Sequence, residues 1–512
     1  MNLEIGFQRL RRWRKTMSEP RYKLHWVTVL VESLKALKEA ILPLVIVLIS
    51  GRRNNDSGIW ILDNWSLLLG IILVVYLVSS GFIKWRRFTY WFEDGELRIE
   101  SGLFVRKKRY IPFERIQSLN YTEGIFHRPF GLVKVQVETA ASSAGEAEAE
   151  LTAVTRDDAD LIKIRIAEGK KRKMQETGDP SEVEMDGVGS VETEPEEKRV
   201  FSLNPKQLVL LATTSGGIGV IFSGVAIFLS QFGEFLPLDK VSDELAGLIE
   251  FGVFIIVLLV LVGLFVAWLL SVAMTFFSYY GFTVRVSDEE LIITRGLIEK
   301  KRTTIPLSRI QSVSFVENPV RQLFGYGRVL VHSAGAADDG SKIQLFPLVK
   351  KRALYEPLQE IFPELDLREP LEKLPKRGRK FFYRIDFIWM IPVIGVVGWF
   401  FYPYGLLALL IVPLVMGFGI WQHRSAAYRV SGNQVTMRSR GISLETSYTM
   451  RKRIQSAHMR QTIFQHRQRV ASIHLNVKSG MGVHNVRLRQ MDVEEAEDLL
   501  NWYEPSRESG CE

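Results

Sequence analysis

"RIQS" stands at Arg115–Ser118, again at Arg309–Ser312 and a third time at Arg453–Ser456. Extended outward, the copies read "SGLFVRKKRYIPFERIQSLNYTEGIFHRPFGLVKVQVETA", "TRGLIEKKRTTIPLSRIQSVSFVENPVRQLFGYGRVLVHSAG" and "SRGISLETSYTMRKRIQSAHMRQTIFQHRQRVASIHLNVKSG". Sixteen residues separate each arginine from Gly131, Gly325 and Arg469, and a β-rich run follows each time. Gly102 and Gly296 lie thirteen residues before their arginines, Gly441 twelve. Self-similarity at fixed spacing is the mark of a repeated fold. The third copy has drifted: it lacks the pair Ile111-Pro112 and Ile305-Pro306, and arginine replaces the glycine at 469.

The motif reads as structural. Arg115, Gln117, Arg309, Gln311, Arg453 and Gln455 can bind an anion, but neither residue type is a usual acid, base or nucleophile. The serines have no repeated partner: where copy one has His127, copy two has Arg321 and copy three Gln465. Ile116, Ile310 and Ile454 are expected to face a core, because an apolar residue recurring inside a strand-like run reports packing.

The 512 residues include 47% hydrophobic side chains, a net charge of +9 and one cysteine, Cys511. A lone cysteine excludes a disulfide framework and a cysteine metal cluster. The eight histidines show neither HExxH nor paired spacing with carboxylates, so no metal and no cofactor is expected. "TTSGGIG" (213–219) has the glycines of a phosphate loop but lies inside an apolar run. Ser215, Gly219 and Ser223 there, like Gly263, Ala267 and Ser271, suit close helix packing in lipid.

Apolar segments come in pairs: 34–50 with 65–83, 208–229 with 251–274, and 387–401 with 406–421. Each pair precedes one RIQS unit. A bilayer needs about 20 apolar residues as helix, so the expectation is six membrane helices as three hairpins. "RLRRWRK" (9–15) suits a signal-peptide lead, but the apolar stretch begins too deep and carries charges. Basic flanks set orientation. Residues 1–26 hold seven basic and two acidic side chains, whereas the loop 231–247 holds four acids and one lysine. Both termini and all three β-rich units are therefore expected in the cytoplasm.

Copy two offers short segments rich in β-branched residues, "FTVRV", "ELIITRG" and "GRVLVHSAG" among them, then a helix in "VKKRALYEPLQEIF". That pattern is an antiparallel barrel or sandwich closed by a helix. The paired helices, the "IPxxRIQS" and "RQLFGYGRVLVHSAG" segments and the closing helix resemble the bacterial pleckstrin-homology-like, membrane-flanked family (YdbT-like proteins). The resemblance covers nearly the whole chain and implies a pleckstrin-like barrel for each unit, with no established chemistry.

The resulting layout is a basic N-terminus (1–26), hairpin 1 (27–83), domain 1 (84–168), a disordered linker (169–200), hairpin 2 (201–276), domain 2 (277–365), a basic linker (366–384), hairpin 3 (385–421) and domain 3 (422–505). The linker is charged and poor in large apolar groups. The leading expectation is a non-enzymatic, multi-pass inner-membrane protein. Its three domains bind lipid headgroups or a protein partner, a second copy included, in an envelope-stress or toxin-resistance complex. The alternative is a transport or export accessory, opened by the polar stripe Glu32, Lys35, Lys38 and Glu39.

From His423 to Arg489 there are thirteen Lys or Arg residues and one acid, Glu445. Arg438, Arg440, Arg451, Lys452, Arg460, Arg467 and Arg469 are the expected anionic-lipid surface. Nucleic acid is not expected, because few aromatics interleave the patch.

Overall fold

The computed structural model describes residues 20–50, 65–103, 105–139, 147–177, 197–215, 252–287, 290–334, 342–367, 370–400, 404–480 and 482–504. They fall into two compact units, 1–194 with 298–304 and 195–297 with 305–512.

Unit 1 begins with helices α1 (Val27–Ser50) and α2 (Trp65–Arg87). Two antiparallel meanders follow: β1 (Thr89–Glu93), β2 (Glu96–Ser101) and β3 (Lys107–Pro112), then β4 (Ile116–Glu123), β5 (Leu132–Thr139) and β6 (Ala149–Thr155). The sequence of β5 shows why it forms: Leu132, Val133, Val135 and Val137 are buried while Lys134 and Gln136 are half-exposed, the two-residue period of a half-buried strand. Helix α3 (Arg156–Thr177) closes the core through Ala159, Ile162 and Ile166. Its start is fixed by Thr155, whose Oγ1 accepts from the backbone N–H of Asp158 at 3.1 Å. In the same unit, Lys300, Lys301 and Arg302 pair antiparallel with Glu123, Thr122 and Tyr121 of β4.

Unit 2 repeats the plan twice. The second repeat has β7 (Lys198–Ser202), α4 (Pro205–Thr214), α5 (Gly252–Tyr279), β8 (Thr283–Val286), β9 (Glu290–Arg295), β10 (Lys300–Pro306, which runs across the division), β11 (Ile310–Glu317), α6 (Pro319–Leu323), β12 (Tyr326–Ser333), β13 (Lys342–Lys350) and α7 (Tyr355–Ile361). The third has β14 (Glu372–Lys373), α8 (Phe381–Phe400), α9 (Ile411–Ser425), β15 (Ala427–Ser431), β16 (Gln434–Arg440), β17 (Leu444–Met450), β18 (Ile454–Arg460), α10 (Ile463–Arg467), β19 (Val470–Ser479), β20 (Gly482–Asp492) and α11 (Val493–Tyr503). Here one sheet joins the repeats: its order is β13-β12-β11-β17-β16-β15-β14, with Val316 opposite Glu445.

The motif has one geometry in all three repeats. A 3-10 turn ends at Arg115, Arg309 and Arg453, and the isoleucine opens the next strand. The ladder then slips between Ile116 and Ser118, Ile310 and Ser312, and Ile454 and Ser456. Each glutamine is therefore the extra residue of a β-bulge. The bulge lets side chains three apart share a face: Ile310 with Val313, and Ile454 with Ala457. The third copy builds the same turn with Met450 in place of proline.

Among the described residues the expected six membrane helices as three hairpins are not found, and these residues form mainly β-sheet domains. Among the described residues one helical stretch, Leu68–Arg87, is long and apolar enough to cross a membrane. Phe265–Tyr279 and Met390–Phe400 are shorter apolar stretches. The reasons are physical. Helix α1 carries Glu32, Lys35, Lys38 and Glu39, α8 opens with Arg384 and Asp386, and α9 is 15 residues long. Residues 216–251, including Gly219 and Ser223, lie outside the described residues, as do 1–19. The expected linker also differs: α3 continues to Thr177 and β7 begins at Lys198, with 178–196 outside the described residues.

Candidate membrane-facing site

After the motif strand, each repeat makes a short helical tip before its next strand. The tips hold the 3-10 turn Arg128–Phe130, helix α6 and helix α10. The chain then leaves through a left-handed residue: Gly131 at φ 62°, Gly325 at φ 69° and Arg469 at φ 48°.

Twelve residues after each RIQS arginine stands a buried polar side chain, which anchors the tip. His127 meets the Thr152 carbonyl through Nε2 at 2.8 Å. Arg321 donates from Nε to Thr214 Oγ1 at 3.0 Å and from Nη2 to Ser215 Oγ at 3.4 Å. Burial lowers the Arg321 pKa. Gln465 donates to Ser472 Oγ and Gln490 Oε1, both at 3.1 Å, and caps the tip by accepting from Thr462 N–H at 2.8 Å. Three different residues perform one task, because each reaches a different hydrogen-bond partner.

Above each anchor, large apolar side chains point into solvent: Ile125, Phe126 and Phe130; Val320, Leu323 and Phe324; Ile463 and Phe464. Leu323 is 84% exposed, Ile463 77% and Phe464 66%. One exposed leucine means little, but the same exposed cluster in three repeats marks a surface meant to be covered.

In unit 1 the tip sits near the end of α2, the span-length helix. Trp85, in the last turn of α2, donates from Nε1 to the Leu24 carbonyl at 2.8 Å. Two residues on, Trp26 meets the Phe130 ring edge-on at 5.5 Å. Lys84, Arg86 and Arg87 complete that last turn of α2. In repeat three, Arg377, in the 3-10 turn that leads into α8, donates to the Arg469 carbonyl at 3.3 Å.

The seven basic residues singled out in sequence divide into three groups. Arg460, Arg467 and Arg469 are exposed on and around the third tip. Arg451 and Lys452 line a pocket with Glu364, Asp366 and Tyr503, where Lys452 Nζ lies 3.3 Å from Glu364. Arg438 is half-buried and donates to Thr446 Oγ1 at 3.0 Å. Arg440 is buried: it donates to Ser425 Oγ at 2.9 Å and Gln322 Oε1 at 3.0 Å, with its guanidinium 3.9 Å from the Trp421 ring centre. The tips themselves escaped sequence reading. Their signal is the adjacent pair Ile125-Phe126 and its counterpart Ile463-Phe464, at equal offsets in a gap between strands.

Residues 39–170, 238–361 and 390–507 each match the family model described as Bacterial PH domain. The chain belongs to the bacterial PH domain family. Across 502 residues it is 36% identical to the UPF0699 transmembrane protein YdbT of Bacillus subtilis (strain 168), covering 96% of this chain and all of that protein. It is 25% identical over 100 residues to the UPF0699 transmembrane protein YdbS of the same organism, 20% of this chain and 58% of that protein. No solved structure matches. The three matched stretches coincide with the three RIQS repeats, so each bacterial PH domain carries one tip.

Proposed function

We propose that this chain is a non-enzymatic membrane protein whose three PH domains lie on the cytoplasmic leaflet. The tips dip into the interface and the basic side chains around them hold anionic headgroups. The link from the first tip through Trp26 and Leu24 to Trp85 at the end of the span-length helix carries this reading, because that helix end must lie near the membrane surface. The name of the relative YdbT, a transmembrane protein, points the same way. Lys84, Arg86 and Arg87 at that end favour the cytoplasmic side. Burying a Phe or Leu side chain contributes about 1.5–3 kcal/mol, and each Lys or Arg close to an anionic leaflet about 1 kcal/mol.

The test uses full-length protein in nanodiscs, with Cys511→Ser and one new cysteine carrying an environment-sensitive fluorophore. Labels at Phe464→Cys and Leu323→Cys are expected to be quenched by shallow doxyl lipids, and a label at the exposed Glu497→Cys is not. Reversing Arg460 and Arg467 to Glu should remove the preference for anionic lipid. A label at position 464 that stays in water, or binding indifferent to lipid charge, defeats the reading.

A further inference from the structure

Three side chains far apart in sequence meet inside unit 2. They are His332 of β12, Glu445 of β17 and His484 of β20. One ligand atom from each lies within 4.8 Å of the others. His332 is fully buried, and the side chain of His484 is only 10% exposed. The two imidazoles stack with centres 3.7 Å apart and planes at 14°.

The His484 Nε2 atom is buried without a hydrogen-bond partner, and Glu445 Oε1 lies 3.9 Å from it. An unsatisfied buried imidazole nitrogen costs free energy, so its presence asks for a ligand. His332 is held from behind: Nδ1 meets Ser479 Oγ at 3.2 Å, and Nε2 lies 3.5 Å from Ser314 Oγ. A metal-ligating histidine holds its other ring nitrogen in an outer hydrogen bond, and the Ser479 hydroxyl takes that place at Nδ1 here.

We infer that His332, His484 and Glu445 form a site for a divalent transition cation of the zinc class, clamping repeat two to repeat three. Two neutral imidazoles and one carboxylate are a common zinc donor set, with a fourth position for water. Magnesium and calcium prefer all-oxygen sites. Stacked rings aim their lone pairs side by side, so binding requires the imidazoles to splay from the 14° arrangement. Lys342, beside both histidines, opposes a cation and sets a limit on affinity. Because β12 belongs to one repeat and β17 and β20 to the next, a bound ion resists their separation.

The experiment uses full-length protein in detergent, stripped by chelator and titrated with zinc alone, then with magnesium and calcium. One zinc per chain and a raised melting temperature are expected, with neither effect from magnesium or calcium. His484→Asn and Glu445→Gln should each weaken zinc binding about 10–100-fold. His474→Asn, in the separate stacked pair His458–His474, should not. X-ray absorption of the zinc-loaded native protein gives a readout independent of variant folding: two imidazoles and an oxygen donor at about 2.0–2.2 Å. Absence of stoichiometric zinc, retention of binding in His484→Asn, or a shell without paired imidazoles overturns the inference.

Discussion

At the scale of single residues, Arg469 stands where its counterparts are Gly131 and Gly325, with φ at 48°. A side chain in the left-handed region costs about 1–2 kcal/mol, partly offset by the unfolded-chain entropy that glycine adds. Arg469→Gly is therefore expected to raise stability by up to about 1 kcal/mol, read as a higher urea midpoint. The RIQS motif separates its residues in the same way. Ile310 is buried in the core whereas the Gln311 side chain only donates to the Arg309 carbonyl at 2.9 Å. Ile310→Ala should cost about 2–5 kcal/mol, and Gln311→Ala about 1 kcal/mol or less. Equal losses would mean that the glutamine does more than shape the bulge. His332 supplies a pH dependence, since burial, then His484 and Lys342, lower its pKa from 6.5 to about 3. The groups facing it are Ser314, Ser479, His484, Glu445 and Lys342. Below pH 6.5 the unfolded chain takes up a proton that the folded chain refuses until about pH 3. Stability is thus full above pH 6.5 and falls between these values, by at most about 1.4 kcal/mol per pH unit. Melting of metal-free protein across pH 7 to 4 checks this, and His332→Gln should flatten the slope.

At the scale of elements, each tip is a short structure with its anchor inside and its apolar side chains outside. The two faces should respond oppositely to substitution. Ile463→Ser with Phe464→Ser removes no buried contact and should leave detergent melting unchanged. Gln465→Ala strands Ser472 and Gln490 and should cost about 1–3 kcal/mol. If the exposed pair proves the costlier, the tip packs against protein rather than lipid. Arg440 belongs to this scale too, since it ties α9, α6 and β16 together. Its counting as a surface charge in sequence was a natural inference from composition, but β16 turns this arginine toward Trp421.

At the scale of the whole molecule, one pairing rule recurs within each unit: the motif strand takes an antiparallel neighbour, Lys300–Arg302 in unit 1 and β17 in unit 2. Thr122 faces Lys301 and Val316 faces Glu445 in the same register. Among the described residues, β3 and β18 each keep an open edge. Copies could chain by this rule, and the register would set Arg460 against Lys107. Like charges directly opposite destabilise a strand pair, and basic edge residues block edge-to-edge association. Lys107→Glu is expected to promote self-association in sedimentation measurements, which the native charge suppresses. No change in mass would show that something other than charge guards these edges.

The sequence alone determined what is local or periodic. RIQS spacing marked three repeats, and short runs rich in β-branched residues marked the strands. These follow from contacts between near neighbours in the chain, where residue order is geometry. The number of membrane helices differs from the expectation because α1 and α8 carry charges within their length, which hydropathy summed over a whole segment averages away. Tertiary structure alone decided which side chains meet. His332, Glu445 and His484 lie on three strands from two repeats, and no spacing rule links them. The anchors His127, Arg321 and Gln465 share a position but no chemistry, so only their burial shows the common task. Order along the chain sets each element, and packing between elements sets which polar groups lose water together.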